Sequence, residues 1–169
     1  AAAIASEAWQ MSGQGVANTM YGLGLSGARL KELPGATRAA LWDALTREAP
    51  RMDEQELSNA LFALGRLDVT WSAAPVDARA TLVTAHLNQL ANMEIQGLAM
   101  SLSGLAKMGF VVNSLSTTAA DDFTDQVMSR VCKALERRSA AGINGMNDAG
   151  EVSALVQAMG AIGLDMQEL

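Results

Sequence analysis

The sequence predicts an all-α protein, a right-handed α-solenoid of tandem helical hairpins, on three observations. One phrase occurs four times, at residues 11–27 (MSGQGVANTMYGLGLSG), 52–68 (MDEQELSNALFALGRLD), 93–109 (MEIQGLAMSLSGLAKMG) and 147–163 (NDAGEVSALVQAMGAIG). The first three copies start 41 residues apart and the fourth follows after 54. Self-similarity at such a period marks stacked supersecondary units. Within each copy, large apolar residues fall at steps of four and seven, as Leu57, Leu61 and Leu64 do. These steps hold them on one face of a 3.6-residue helix. Finally, no segment carries the period-two alternation of a half-buried strand.

The repeated phrase is helix A of each unit. Its apolar columns are Val16, Leu57, Leu98 and Val152, then Met20, Leu61, Leu102 and Val156, then Leu23, Leu64, Leu105 and Met159. Small residues accompany them, notably Gly22, Ala63, Gly104 and Ala158, and Gly24, Gly65, Ala106 and Gly160. Glycine inside a helix costs about 1 kcal/mol relative to alanine, so its recurrence points to close helix packing. Gly27, Asp68, Gly109 and Gly163 share the final position, where a left-handed C-cap is expected.

In chain order, residues 1–10 are expected to be the second helix of a preceding unit, with Ile4 and Trp9 facing inward. The run begins as though in mid-helix, with no initiating Met, so the chain is expected to be part of a longer array. Residues 11–51 form the first unit, with helix A at about 12–25. Its helix B, at about 37–48, buries Leu41, Trp42 and Leu45, and Pro50 helps to end it. Residues 52–92 form the second, with helices at about 53–67 and 76–91. The second of these carries Leu82, Val83, Leu87 and Leu90. Residues 93–146 form the third, with helices at about 95–108 and 122–138 around a Ser/Thr-rich connection. Residues 147–169 hold a partial fourth unit, with a helix at about 149–162 after the Gly-rich linker 141–145. The whole is one domain, the default for 169 residues of which 50% are apolar.

Composition narrows the function. A net charge of −6 argues against binding nucleic acid by bulk charge alone. The single Cys132 excludes an internal disulfide or a cysteine-based zinc site, and it reads as a small core residue. No apolar run is long enough to span a bilayer. The ten methionines read as core fillers.

The phrase Gln-x-Leu-x-Asn-x-Leu-aromatic-Ala-Leu-x-x-Leu-Gly resembles helix A of the octotricopeptide and heptatricopeptide repeats of algal and apicomplexan organellar proteins, often found beside a RAP domain. Gln55, Leu57, Asn59, Leu61, Phe62, Ala63, Leu64 and Leu67 carry the resemblance, and Gln14, Val16, Asn18, Met20, Tyr21, Gly22 and Leu23 repeat it. The third copy keeps Gln96 but places Met100 at the Asn position, and the fourth has Gly150 and Ala154. The Pro-Pro-Pro-Glu-Trp signature of many octotricopeptide repeats and a RAP domain are both absent from these residues, and 41 is long for those families. The resemblance implies a soluble organellar protein, of a mitochondrion or plastid, that binds single-stranded RNA or serves the organellar ribosome and its RNA. It implies no catalysis and no cofactor.

Stacked helical repeats present an extended surface on which a few polar side chains per unit can meet one base. The candidate readers are Gln14, Asn18, Gln55, Asn59 and Gln96, because amides offer both donors and acceptors. Asn18 and Asn59 could instead bond the neighbouring backbone. Phosphate contact is expected of a basic stripe, and Arg130, Lys133 and Arg137 are the nearest to one, although such runs are usually solvated helix faces. The alternative reading is a scaffold subunit held by protein–protein contacts in a large organellar complex.

Three chemical motifs carry less weight. Asp121, Asp122 and Asp125 match the DDxxD pattern with which isoprenoid synthases hold magnesium, but no second acidic motif accompanies them, and acids are favoured in a first helical turn anyway. His86 is the only histidine, so it forms no triad or multi-histidine metal site, and a helix-surface or half-buried position is expected. The Gly13-x-Gly15 and Gly22-x-Gly24 pairs lack the preceding strand of a phosphate loop.

Overall fold

The computed structural model describes residues 2–140 and 146–164, and every regular element among them is helical. The α-helices are α1 (Ala2–Glu7), α2 (Gly13–Leu25), α3 (Gly35–Glu48), α4 (Glu54–Arg66), α5 (Val76–Gln89), α6 (Ile95–Lys107), α7 (Thr117–Ala140) and α8 (Met146–Ala161). Short 3-10 turns lie between them, among them Leu30–Glu32, Trp71–Ala73 and Val112–Ser114. The helices lie in two rows. Helices α2, α4, α6 and α8 pack side by side in chain order, α1, α3, α5 and α7 form the second row, and each of α2, α4 and α6 touches the helix that follows it.

Local sequence fixes the ends of the first row. Ser12 caps α2 by accepting from the Gly15 N–H, and Asp53 and Glu56 form a reciprocal capping box at α4. Such caps contribute about 1 kcal/mol each. At the other end, Gly27, Asp68, Gly109 and Gly163 all adopt positive φ, at 78°, 58°, 74° and 86°. Asp68 is the one non-glycine there, a residue type that tolerates the left-handed region.

Two hydrogen bonds recur with the repeat. The Leu30 N–H donates to Leu67 O (2.9 Å), Trp71 to Met108 O (2.6 Å) and Val112 to Ile162 O (2.9 Å). Each satisfies a carbonyl orphaned at the end of the next first-row helix. Within each unit, a second-row side chain reaches back to the opening methionine, from the helix end in α3 and α5 and from mid-helix in α7. Arg47 donates to Met11 O (3.0 Å), Gln89 to Met52 O (2.9 Å) and Arg130 to Met93 O.

The apolar stripes of α2, α4 and α6 are buried at Val16, Met20, Leu57, Leu61, Leu64, Leu98, Leu102 and Leu105. Glycine lets the first row close up: a Cβ at Gly104 would stand 2.3 Å from Leu61 O, and one at Gly65 would stand 3.0 Å from Gly104 O. Gly22 and Gly160 meet no such neighbour.

Several expectations are corrected. Trp9 is 70% exposed and Ala8 is buried in its place, because α1 ends at Glu7 and the following 3-10 turn changes the angular step. Trp42 is only half-buried, and Thr37 and Ala44 share the inner face of α3 with Leu41 and Leu45. In α8, Val156 is 41% exposed where Met20, Leu61 and Leu102 are buried, whereas Leu155, Met159 and Ile162 keep the inward positions of the other copies. His86 is fully buried, and Cys132 is intermediate rather than core. Helix α7 starts at Thr117, so the Ser/Thr-rich stretch contributes its first turn. Residues 141–145, read as a Gly-rich linker, lie outside the described residues.

Candidate nucleic-acid interface

The outer faces of α2, α4 and α6 repeat one pattern. Positions four and seven residues apart carry Gln14, Asn18 and Tyr21 on α2, then Gln55, Asn59 and Phe62 on α4, then Gln96, Met100 and Ser103 on α6. These positions are opposite in phase to the buried stripe, so the same periodicity that builds the row displays them. A groove of about 450 Å³ gathers Tyr21, Gln55, Asn59, Gln96 and Met100 with Asn92, Glu54 and Glu94. Three of the five candidate amides therefore converge. Gln14 and Asn18 stand exposed on α2, on the helix that sends Tyr21 into the groove.

None of the five amides has a side-chain hydrogen bond among the described residues. The alternative for Asn18 and Asn59, a bond to neighbouring backbone, is thus not what these side chains do. Some amides elsewhere are committed, Gln89 to Met52 O, Asn92 to Gln89 and Gln126 to Asp122.

An aromatic pair adjoins the amides. The Tyr21 and Phe62 rings lie 6.1 Å apart at 33°. Arg66 Cζ lies 5.9 Å from the Phe62 centroid and Lys107 Nζ lies 5.2 Å from it. Cation–ring contacts at exposed sites contribute about 0.5–1 kcal/mol, and they hold both cations beside the groove. None of these four was read from the sequence as a binding residue, although Tyr21 and Phe62 carry the repeat resemblance. Their signal was available, since Phe62 follows Tyr21 and Lys107 follows Arg66 at the 41-residue spacing.

The basic candidates are placed elsewhere. Arg130, Lys133 and Arg137 line a separate cleft of about 430 Å³ with Leu87, Leu90 and Asp125. Arg130 is not on a solvated face: its side chain is 5% exposed and donates to Met93 O, with the Glu94 carboxylate 3.7 Å away. Arg137 is exposed and lies 3.9 Å from the same carboxylate. Glu94 itself lines the amide groove, whereas neither arginine does.

No family model matches this chain, and neither does any curated protein or solved structure. The resemblance to octotricopeptide-type repeats thus rests on the repeated phrase itself.

Free amides can donate to and accept from base edges, an aromatic pair can stack on a planar ring, and Arg66 and Lys107 can meet phosphate. Glu54 and Glu94 disfavour phosphate in the groove, which leaves its floor to neutral edges. Among the described residues no three His, Cys, Asp or Glu side chains are grouped to hold a metal ion. Asp121, Asp122 and Asp125 are exposed, and Asp122 accepts from Gln126 (2.8 Å). No described helix is long and apolar enough to cross a membrane.

Proposed function

We propose that the two rows are a single right-handed α-solenoid, and that this is a non-catalytic repeat protein of an organelle binding single-stranded RNA, alone or at the organellar ribosome. One observation carries the reading: amides with no internal partner share a groove with Tyr21, beside the Phe62 ring and the cations above it. Bases stack on the aromatic pair, amides meet their edges, and the backbone runs past Arg66 and Lys107. Such stacking contributes about 1–3 kcal/mol per base.

The test is a salt titration of binding to pooled single-stranded RNA. Tyr21→Ala/Phe62→Ala is expected to weaken binding at every salt concentration. Asn59→Ala/Gln96→Ala is expected to flatten sequence preference. Arg66→Glu/Lys107→Glu is expected to reduce the slope of log K against log salt by about 1.4, as two lost phosphate contacts on a single strand require. Wild-type protein that binds no RNA at low salt overturns the reading.

A scaffold subunit is the second reading, favoured by the exposed Trp9 (70%) and Leu25 (56%). It predicts that Trp9→Ser/Leu25→Ser releases the chain from its host complex while RNA binding is unaffected or absent.

A further inference from the structure

A second concavity, sharing no residue with the amide groove, lies where the connections of the first two units meet. Leu30, Trp42, Val69, Ala73 and Pro75 wall a cavity of about 530 Å³, with Lys31, Arg38, Asp68 and Thr70 around it. One period on, Leu30 and Val69, 6% and 7% exposed, are replaced by Trp71 and Phe110, whose rings pack edge to face with centroids 4.9 Å apart. The two units thus differ in the size of the side chains at these framework positions, the first carrying the smaller pair. Trp42 is half-buried beside the space, and Val76, next in sequence to Pro75, is 73% exposed and extends its apolar edge.

The charges around the cavity are unequal. Arg29 and Lys31 share the Asp68 carboxylate, at 4.0 and 2.9 Å, and Arg29 also lies 3.9 Å from Glu32. Arg38 donates through Nη1 to Lys31 O (2.8 Å) and makes no ion pair among the described residues. A chain of net charge −6 therefore carries a locally positive spot at the edge of an apolar hollow. The complementary ligand joins a large apolar group to a carboxylate. A polyphosphate fits less well, because one free cation is available and the Asp68 carboxylate stands at the rim.

We propose that this cavity docks an acidic–apolar peptide segment of a partner protein. A Leu or Phe side chain lies against Trp42 between Leu30 and Val69, and an adjacent Asp or Glu meets Arg38. The proposal is independent of the RNA reading.

The test is a 15N-resolved NMR titration of the whole chain with acetyl-Asp-Leu-Phe-Glu-amide, acetyl-Lys-Leu-Phe-Lys-amide and adenosine monophosphate in parallel. The acidic peptide is expected to give saturable shifts confined to residues 30–42 and 68–76. Arg38→Gln should weaken it about tenfold, the scale of one charge-assisted contact. Leu30→Trp/Val69→Phe, which installs the larger pair of the second unit, should abolish binding while a thermal melt shows the fold intact. If that variant does not fold, Trp42→Ala replaces it, with loss of the shifts as the expected result. The proposal is overturned if the acidic peptide gives no saturable shifts, if the lysine peptide binds as well, or if adenosine monophosphate saturates the same resonances more tightly.

Discussion

Two ionisable side chains, His86 and Arg130, are buried among the described residues. His86 is 0% exposed, its Nε2 lies 3.0 Å from Ser101 Oγ, its ring stacks on Phe123 at 5.9 Å, and its Nδ1 has no partner. The Ser101 hydroxyl also reaches Leu98 O (3.1 Å) and Met93 Sδ (3.8 Å); with its proton on either, Nε2 is the donor to Ser101 and Nδ1 keeps a bare lone pair. Burial lowers the imidazole pKa from 6.5 to about 4. The unfolded chain binds the extra proton first as pH falls. The stability His86 permits is thus whole above pH 6.5 and declines toward pH 4, by up to about 3 kcal/mol. Urea melts at pH 7 and pH 4.5 should show a larger loss in wild type than in His86→Phe. Arg130 gives a second prediction: Arg130→Ala leaves Met93 O without its charged donor and should cost about 2 kcal/mol in the same melts, against less than about 0.5 for Lys133→Ala. The phase of both residues was legible, since Leu82, His86 and Leu90 fall four apart and Val127, Arg130, Val131 and Ala134 share a face. Side-chain chemistry argued for exposure, and phase prevailed because Ser101 and Met93 O supply partners that lie far away in sequence.

Helices α2, α4 and α6 were readable to within about a residue, because a stripe and a closing terminus mark each, whereas α8 starts at Met146, earlier than the expected 149. Ser12 and Asp53 open α2 and α4, and the left-handed residues Gly27, Asp68, Gly109 and Gly163 close their turns. Second-row helices lack such marks. Pro34 and Pro75 stand at the N-caps of α3 and α5 without any side-chain cap, and α7 recruits Thr117 although threonine also favours turns. Glycine in the first row predicts opposite outcomes at two sites. Gly104→Ala drives a Cβ against the Leu61 carbonyl, a backbone atom that cannot swing aside, and should destabilise by about 2 kcal/mol. Gly22→Ala meets nothing within 4 Å and should stabilise by about 0.5–1 kcal/mol through helix propensity. Thermal denaturation of the two variants checks both signs.

For the molecule as a whole, the all-helical class followed from periodicity, while the composition of the candidate site followed only in part. Gln55, Asn59 and Gln96 were visible as a column of the repeat. Their convergence with Tyr21 depends on how closely α4 approaches its neighbours, a distance set by glycines and backbone contacts rather than by any motif. Arg130, Lys133 and Arg137 were read from a basic run along one helix, and they line a cleft separate from the amide groove. Arg66 and Lys107 come from two helices and meet only over the Phe62 ring. At this scale the prediction concerns charge: reversing Lys133 and Arg137 together should leave the salt dependence of RNA binding near the wild-type slope, whereas reversing Arg66 and Lys107 should flatten it.

The backbone bonds from Leu30, Trp71 and Val112 to the end of the next first-row helix have a consequence for how such a chain can change its length. Donor and acceptor are 37 residues apart in the first two cases and 50 in the third, yet the bond is the same. The Arg47, Gln89 and Arg130 clamps, by contrast, keep separations of 36, 37 and 37. The extra residues of the third unit therefore all fall between its clamp and Ile162, most of them before α8 and the rest in the greater length of that helix. The molecule behaves like a text with a reading frame: insertions are silent in one interval of each unit, and the same insertion before the clamp would shift every later contact out of phase.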